Sequence, residues 1–207
     1  MTEDKLSYQE LEEENLLLQE AILELAGETN IEEVENELFK NRYLYIHDEI
    51  SQDTLSQISP IIDYYNLEDE GLPKNERMPI KIKIGTYGGE AYEALAIIDA
   101  IEASVTPVHA HVEGKSMSAG LFIWASAHKR TMGKRAVMMY HQIQLSGLSG
   151  TLQQVKKQIK EFERMQNVLD ELLNQRLNLS KKFLKKLNKK NEDWYIDYNM
   201  AKEHKMI

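Results

Sequence analysis

The chain has no cysteine, four prolines and two tryptophans in 207 residues. Without cysteine there is no disulfide, no thiolate metal site and no cysteine nucleophile, which fits a reducing, cytoplasm-like compartment. Also missing is any apolar run near the roughly 20 residues that a membrane helix needs, so no membrane partner is expected. The N-terminal MTEDKLSYQELEEEN lacks the basic start and apolar stretch of a secretory signal. A concentrated basic face is absent as well. The net charge is −9, and residues 1–40 hold thirteen acids against Lys5 and Lys40, leaving the remainder slightly basic. Phosphate repulsion from that acidic segment argues against a nucleic-acid partner.

What is present fits one well-buried domain plus an extension. The chain is 42% hydrophobic and 29% charged, ordinary for a globular protein. Residues 4–26 read as a helix with Leu6, Leu11, Leu18, Ile22 and Leu25 on one stripe, and a second short helix follows from Asn30 to about Leu38. The main domain begins near residue 41 with the strand RYLYI. A helix from about Gln52 is expected to bend or break at Pro60. IKIKI (80–84), PVHAHVEG (107–114) and AVMMYHQ (136–142) read as strands, separated by helices that open at GTYGGEAYEAL and SMSAGLFIWASA. Strands alternating with helices in short order predict an α/β fold with a largely parallel sheet. A Gly/Ser stretch (145–150) leads into a long amphipathic helix from Thr151 to about Leu177. The lysines of 181–190 read as a solvated helix face, and the tail as a short extended piece and a final helical turn.

Three pieces carry chemistry, each at the C-terminal edge of a predicted strand, where ligands gather in parallel sheets. The Gly88–Gly89 turn lets backbone N–H groups approach a ligand, as oxyanion stabilisation requires. Read alone, it is a tight turn. Ser116 and Ser118 open an apolar helix, whose positive end favours developing negative charge; read alone, such a serine is a cap. His141 closes a strand. A serine at a helix start and a histidine at the neighbouring strand end come within reach of general-base activation. His109 and His111 share one strand face and could offer two imidazoles to a metal. No third ligand is visible, so no metal and no cofactor is expected.

In this order the segments IKIGTYGGEAYEALAIIDAIEAS, GKSMSAGLFIWASAHKR and MMYHQ resemble the Clp protease proteolytic-subunit (ClpP) family, from about Arg42 to the C-terminus. The resemblance implies a ClpP/crotonase-like α/β fold with turns of a mostly parallel sheet and a protruding handle helix, about 145–178. It divides the chain into an acidic helical extension, 1–40, and a serine peptidase domain, 41–207. Four residues past Gly114, the family's nucleophile falls on Ser118 rather than Ser116. Its base falls on His141, and its oxyanion-hole donors on the N–H groups of Gly89 and Ala119. Its usual aspartate falls on Lys189, which cannot serve. Asp193 is the nearest carboxylate and the expected third member, with Asp197 and Asn191 as fallbacks. Tyr87, Ile143 and Lys205 depart from the family's turn proline, a second proline and a late glycine.

The implied activity is hydrolysis of unfolded polypeptides inside a homo-oligomer of two stacked heptameric rings, fed by an AAA+ unfoldase in the cytoplasm. The alternative is a catalytically impaired subunit kept for ring assembly. An acyl-CoA enzyme of the related crotonase fold is disfavoured, because Ser118 and His141 would then have no purpose.

Overall fold

The computed structural model describes residues 31–207 apart from residue 146. The helix expected over 4–26 lies outside the described residues. Contacts divide the chain between Asn41 and Arg42. In the first unit, α1 (Ile31–Lys40) opens on Glu32 and Glu33 and closes on Lys40, a charge order that complements the helix dipole.

In the second unit the period-two alternation of IKIKIGT buries Ile80, Ile82, Ile84 and Thr86 along β2 (Ile80–Thr86). β2 pairs in parallel with β1 (Tyr43–Ile46) on one side and β3 (Val108–Met117) on the other. β3 is long enough to serve two neighbours in succession. His109–Val112 pair with β4 (Lys129–Met132), and Lys115–Met117 pair with β5 (Val137–Tyr140), both in parallel. β6 (Trp194–Asp197) closes the edge antiparallel to β5. The architecture is α/β with a mostly parallel sheet. Around it lie α2 (Gln52–Glu68), α3 (Ala91–Ala103), α4 (Ala119–Ser126), α5 (Leu152–Leu177), α6 (Lys181–Lys190) and α7 (Tyr198–Glu203).

Three features differ from the sequence reading. Pro60 does not break α2, which runs unbroken through it. The proline removes one ladder bond on an exposed stretch, and burial of Ile58, Ile62 and Tyr65 outweighs that loss. The strand expected over 107–114 continues to Met117, so Ser116 is a strand residue and the helix starts only at Ala119. β4 was not expected, being four residues with Lys129 and Thr131 exposed.

Every residue of α4 is buried, as expected of a helix apolar on all sides. At the opposite end of the strands, Arg42 grips Asp69 with two hydrogen bonds of 2.7 and 2.8 Å, while Thr106 Oγ1 donates to the same carboxylate at 2.7 Å. Asp69 is only 2% exposed. The guanidinium bonds hold its carboxyl below the usual carboxylate range. This lock joins the start of β1, the end of α2 and the approach to β3.

Candidate active site

The site begins at the turn after β2. Thr86 Oγ1 donates to the Asp48 carbonyl at 2.6 Å and accepts the Gly88 N–H at 3.0 Å. Ile50 N–H donates to Gly88 O at 2.9 Å, and Glu90 N–H to Ile50 O at 2.8 Å. These two bonds straddle Gly89 as a parallel bridge, so its own N–H points away from Ile50. Both glycines are required. A Cβ on Gly89 would lie 2.2 Å from Ile50 O, and one on Gly88 would lie 2.8 Å from the Ser118 Cβ.

Ser118 is the hinge between β3 and α4. Its backbone has φ 52° and ψ −122°, a region that costs a non-glycine residue about 1–3 kcal/mol. Two bonds hold it there: Ser118 N–H to Met139 O at 2.8 Å, and Leu121 N–H to Ser118 O at 3.0 Å. The parallel pairing of Ser116 with Met138 and Met117 with Met139 sets Ser118 beside the end of β5, and His141 follows directly after that strand. Ser118, His141, Gly89 and Ala119 line one cavity of about 380 Å³. Ser118 and His141 are both half-buried. Among the described residues no hydrogen bond joins them. His141 Nδ1 instead lies 2.5 Å from its neighbour's carbonyl, Gln142 O. A proton on Nδ1 then leaves Nε2 as the free base.

The antiparallel register places the candidate carboxylates at different distances along the sheet from His141. Val137 pairs with Asp197 and Tyr140 with Trp194, so His141 and Asp193 leave the paired strands at the same end, just beyond the last pair. Asp193, Asn191 and His141 line a second cavity. Asp193 is exposed, and among the described residues no hydrogen bond ties it to His141. Asp197 sits at the far end of the pairing and caps α7, accepting Met200 N–H at 2.8 Å. Asn191 is the left-handed C-cap of α6. Lys189 is exposed on the last turn of α6.

Sequence reasoning missed a buried polar cluster behind the histidine. The Tyr140 hydroxyl donates to Asp170 Oδ1 at 2.6 Å, accepts from Gln166 Nε2 at 3.2 Å and lies 2.7 Å from Asn188 Oδ1. Asp170 also accepts from Gln166 Nε2 at 2.8 Å and from Asn188 Nδ2 at 2.9 Å. Burial and the Asp170 carboxylate push the Tyr140 hydroxyl's pKa well up. The signal was in the helix pattern: Gln166 and Asp170 are polar residues at i and i+4 on the apolar stripe of α5.

His109 and His111 share one face of β3, and His111 Nδ1 lies 2.8 Å from Thr131 Oγ1. Burial lowers the pKa of both imidazoles. Among the described residues no group of three or more His, Cys, Asp or Glu is placed to hold a metal ion. Nor is any described helix long and apolar enough to cross a membrane.

Residues 26–207 match the family described as Clp protease. The chain is 23% identical over 188 residues to the ATP-dependent Clp protease proteolytic subunit 1 of Prochlorococcus marinus subsp. pastoris, covering 89% of this chain and 90% of that protein. It is 30% identical over 142 residues to the protein of the same description from Protochlamydia amoebophila, covering 67% and 66%. To the ATP-dependent Clp protease proteolytic subunit of Physcomitrium patens it is 26% identical over 144 residues, 69% of each chain.

Proposed function

Because the chain belongs to the Clp protease family, we propose that it is a serine endopeptidase with Ser118 as nucleophile and His141 as base. The observation that carries this reading is the strained Ser118 turn, set between the Gly88–Gly89 turn and the residue after β5, with all three on one cavity. A backbone held in that region has a use when it presents the hydroxyl to the cavity.

His141 Nε2 takes the Ser118 Oγ proton as Oγ attacks a peptide carbonyl. The Gly89 and Ala119 N–H groups donate to the oxyanion. As the C–N bond breaks, His141 gives the proton to the leaving amine, and an acyl-enzyme remains on Ser118. Water, deprotonated by His141, releases the acid and restores the serine. Asp193 is the third member, its negative charge stabilising the imidazolium that forms in each half. Residues 1–40 are an extension to a peptidase domain of 41–207, with 145–178 as a handle. Assembly into two stacked heptameric rings encloses the sites, and an AAA+ unfoldase delivers unfolded polypeptide in the cytoplasm.

The test is reaction of the purified protein with a fluorophosphonate probe, with the labelled residue mapped by mass spectrometry. Labelling at Ser118, lost in Ser118→Ala, is expected. An assembled protein that takes no label at Ser118 would overturn the peptidase reading in favour of a subunit kept for ring assembly.

A further inference from the structure

The segment bearing His141 is pinned at two points, and both pins reach the same side chain. Tyr140, immediately before the histidine, is fully buried with its hydroxyl against Asp170 and Gln166. Two residues after the histidine, Ile143 N–H donates to Gln166 Oε1 at 2.8 Å. Gln166 therefore uses both ends of its amide. Its oxygen holds the loop backbone, and its nitrogen holds the tyrosine and the carboxylate. At 8% exposure for Gln166 and 9% for Asp170, water cannot substitute freely for these bonds.

Between the two pins lies Gln142, whose carbonyl faces His141 Nδ1. Fixing Tyr140 and Ile143 fixes that peptide, and the peptide in turn fixes which ring nitrogen carries the proton. A proton shared between Nδ1 and Gln142 O turns Nε2 into the acceptor. Asn188 extends the same network onto α6, whose C-cap is Asn191. The network thus spans both chain segments that border the histidine.

We propose that Gln166, backed by Asp170, is a positioning residue that sets the tautomer and orientation of His141 through the 140–143 backbone. Its kinetic consequence rests on the peptidase reading; its effect on the imidazole does not. The experiment uses the full chain with nitrogen-15-labelled histidine, comparing wild type with Gln166→Met. Methionine preserves side-chain length and bulk while removing both amide functions. Wild type is expected to show His141 as one tautomer, protonated on Nδ1, and Gln166→Met a mixture of the two. In peptide hydrolysis kcat is expected to fall about 100-fold, as for a misplaced catalytic group, with KM changing far less. Fluorophosphonate labelling of Ser118 should slow in parallel.

Should Gln166→Met fail to fold, Tyr140→Phe removes the hydroxyl pin alone and is expected to lower kcat about tenfold. A folded variant with the wild-type tautomer and labelling rate would overturn the proposal, as would a wild-type His141 protonated on Nε2. If wild type cleaves nothing yet the tautomer shift appears, the positioning role stands and the peptidase reading falls.

Discussion

Replacing Gly89 by alanine tests the site's geometry at the point where backbone meets backbone. The added Cβ would lie 2.2 Å from Ile50 O, 2.6 Å from Ile50 N and 2.8 Å from Ile50 C. None of these atoms is the end of a flexible side chain, so relief requires moving the main chain and breaking the Ile50–Gly89 bridge. The residue also has φ +155°, where an L side chain adds strain. Overpacking costs about 1–3 kcal/mol and the strained backbone about 1–3 kcal/mol, so we expect a loss of about 3 kcal/mol. For a body of this size that lowers Tm by about 6–12 °C, read by calorimetry at fixed protein concentration because assembly contributes to Tm. On the peptidase reading, the displaced Gly89 N–H would no longer meet the oxyanion, which costs about 100- to 1,000-fold in peptide cleavage. Gly114→Ala is the control. Its φ is +69° but nothing lies within 4 Å of its Cβ, so backbone strain of about 1 kcal/mol is the only cost. A Gly89→Ala protein that melts and cleaves like wild type, or no worse than Gly114→Ala, would show that the close approach of Gly89 to Ile50 does not shape the site.

Asp193→Asn should slow fluorophosphonate labelling of Ser118 about 10- to 100-fold, less than for a buried triad acid because the carboxylate is exposed; an unchanged rate would remove Asp193 from the machinery. Ser116 is 0% exposed, and its hydroxyl is the single buried side-chain atom without a partner among the described residues. Ser116→Ala should therefore raise unfolding free energy by about 1 kcal/mol in a urea titration while leaving cleavage intact, and a destabilised variant would show that the hydroxyl has a use. The Asp69 carboxyl is held below its ordinary pKa by Arg42, so its contribution is full above the unfolded-state value near 3.8 and is lost as pH falls through the folded one. Urea midpoints of wild type should drop more steeply than those of Asp69→Asn between pH 4 and the acid limit, about as far as the two carboxylate pKa values are separated; parallel profiles would contradict the sign.

Strands and helices that carry period-two or helical patterns could be read from the sequence because burial enforces them. Ile80, Ile82 and Ile84 alternate inward in β2, and the apolar run of α4 is buried all round. β4 has no such pattern, since it is short and held by the edge of β3. Pro60 misled because a single lost ladder bond is small beside the burial of a seventeen-residue helix. Within the site, the grouping of Ser118, His141 and Gly89 could be anticipated from neighbouring strand ends. The Gln166–Asp170–Tyr140–Asn188 cluster was legible only as two polar residues on the apolar stripe of α5, not as a cluster. It depends on α5, β5 and α6 meeting, which no local spacing encodes. That Asp193 and His141 leave the sheet at the same end likewise comes from pairing between β5 and β6, two segments more than fifty residues apart.

The bond from Ser118 N–H to Met139 O has a mechanical meaning. Only Tyr140 separates the residue bearing that carbonyl from His141, so the serine backbone and the histidine backbone hang from the same short piece of main chain. A shift of β5 along the sheet would therefore move both backbones in the same direction. On the peptidase reading, engagement of the pair then turns on the imidazole orientation that the pinned 140–143 backbone sets, and not on one strand sliding past another.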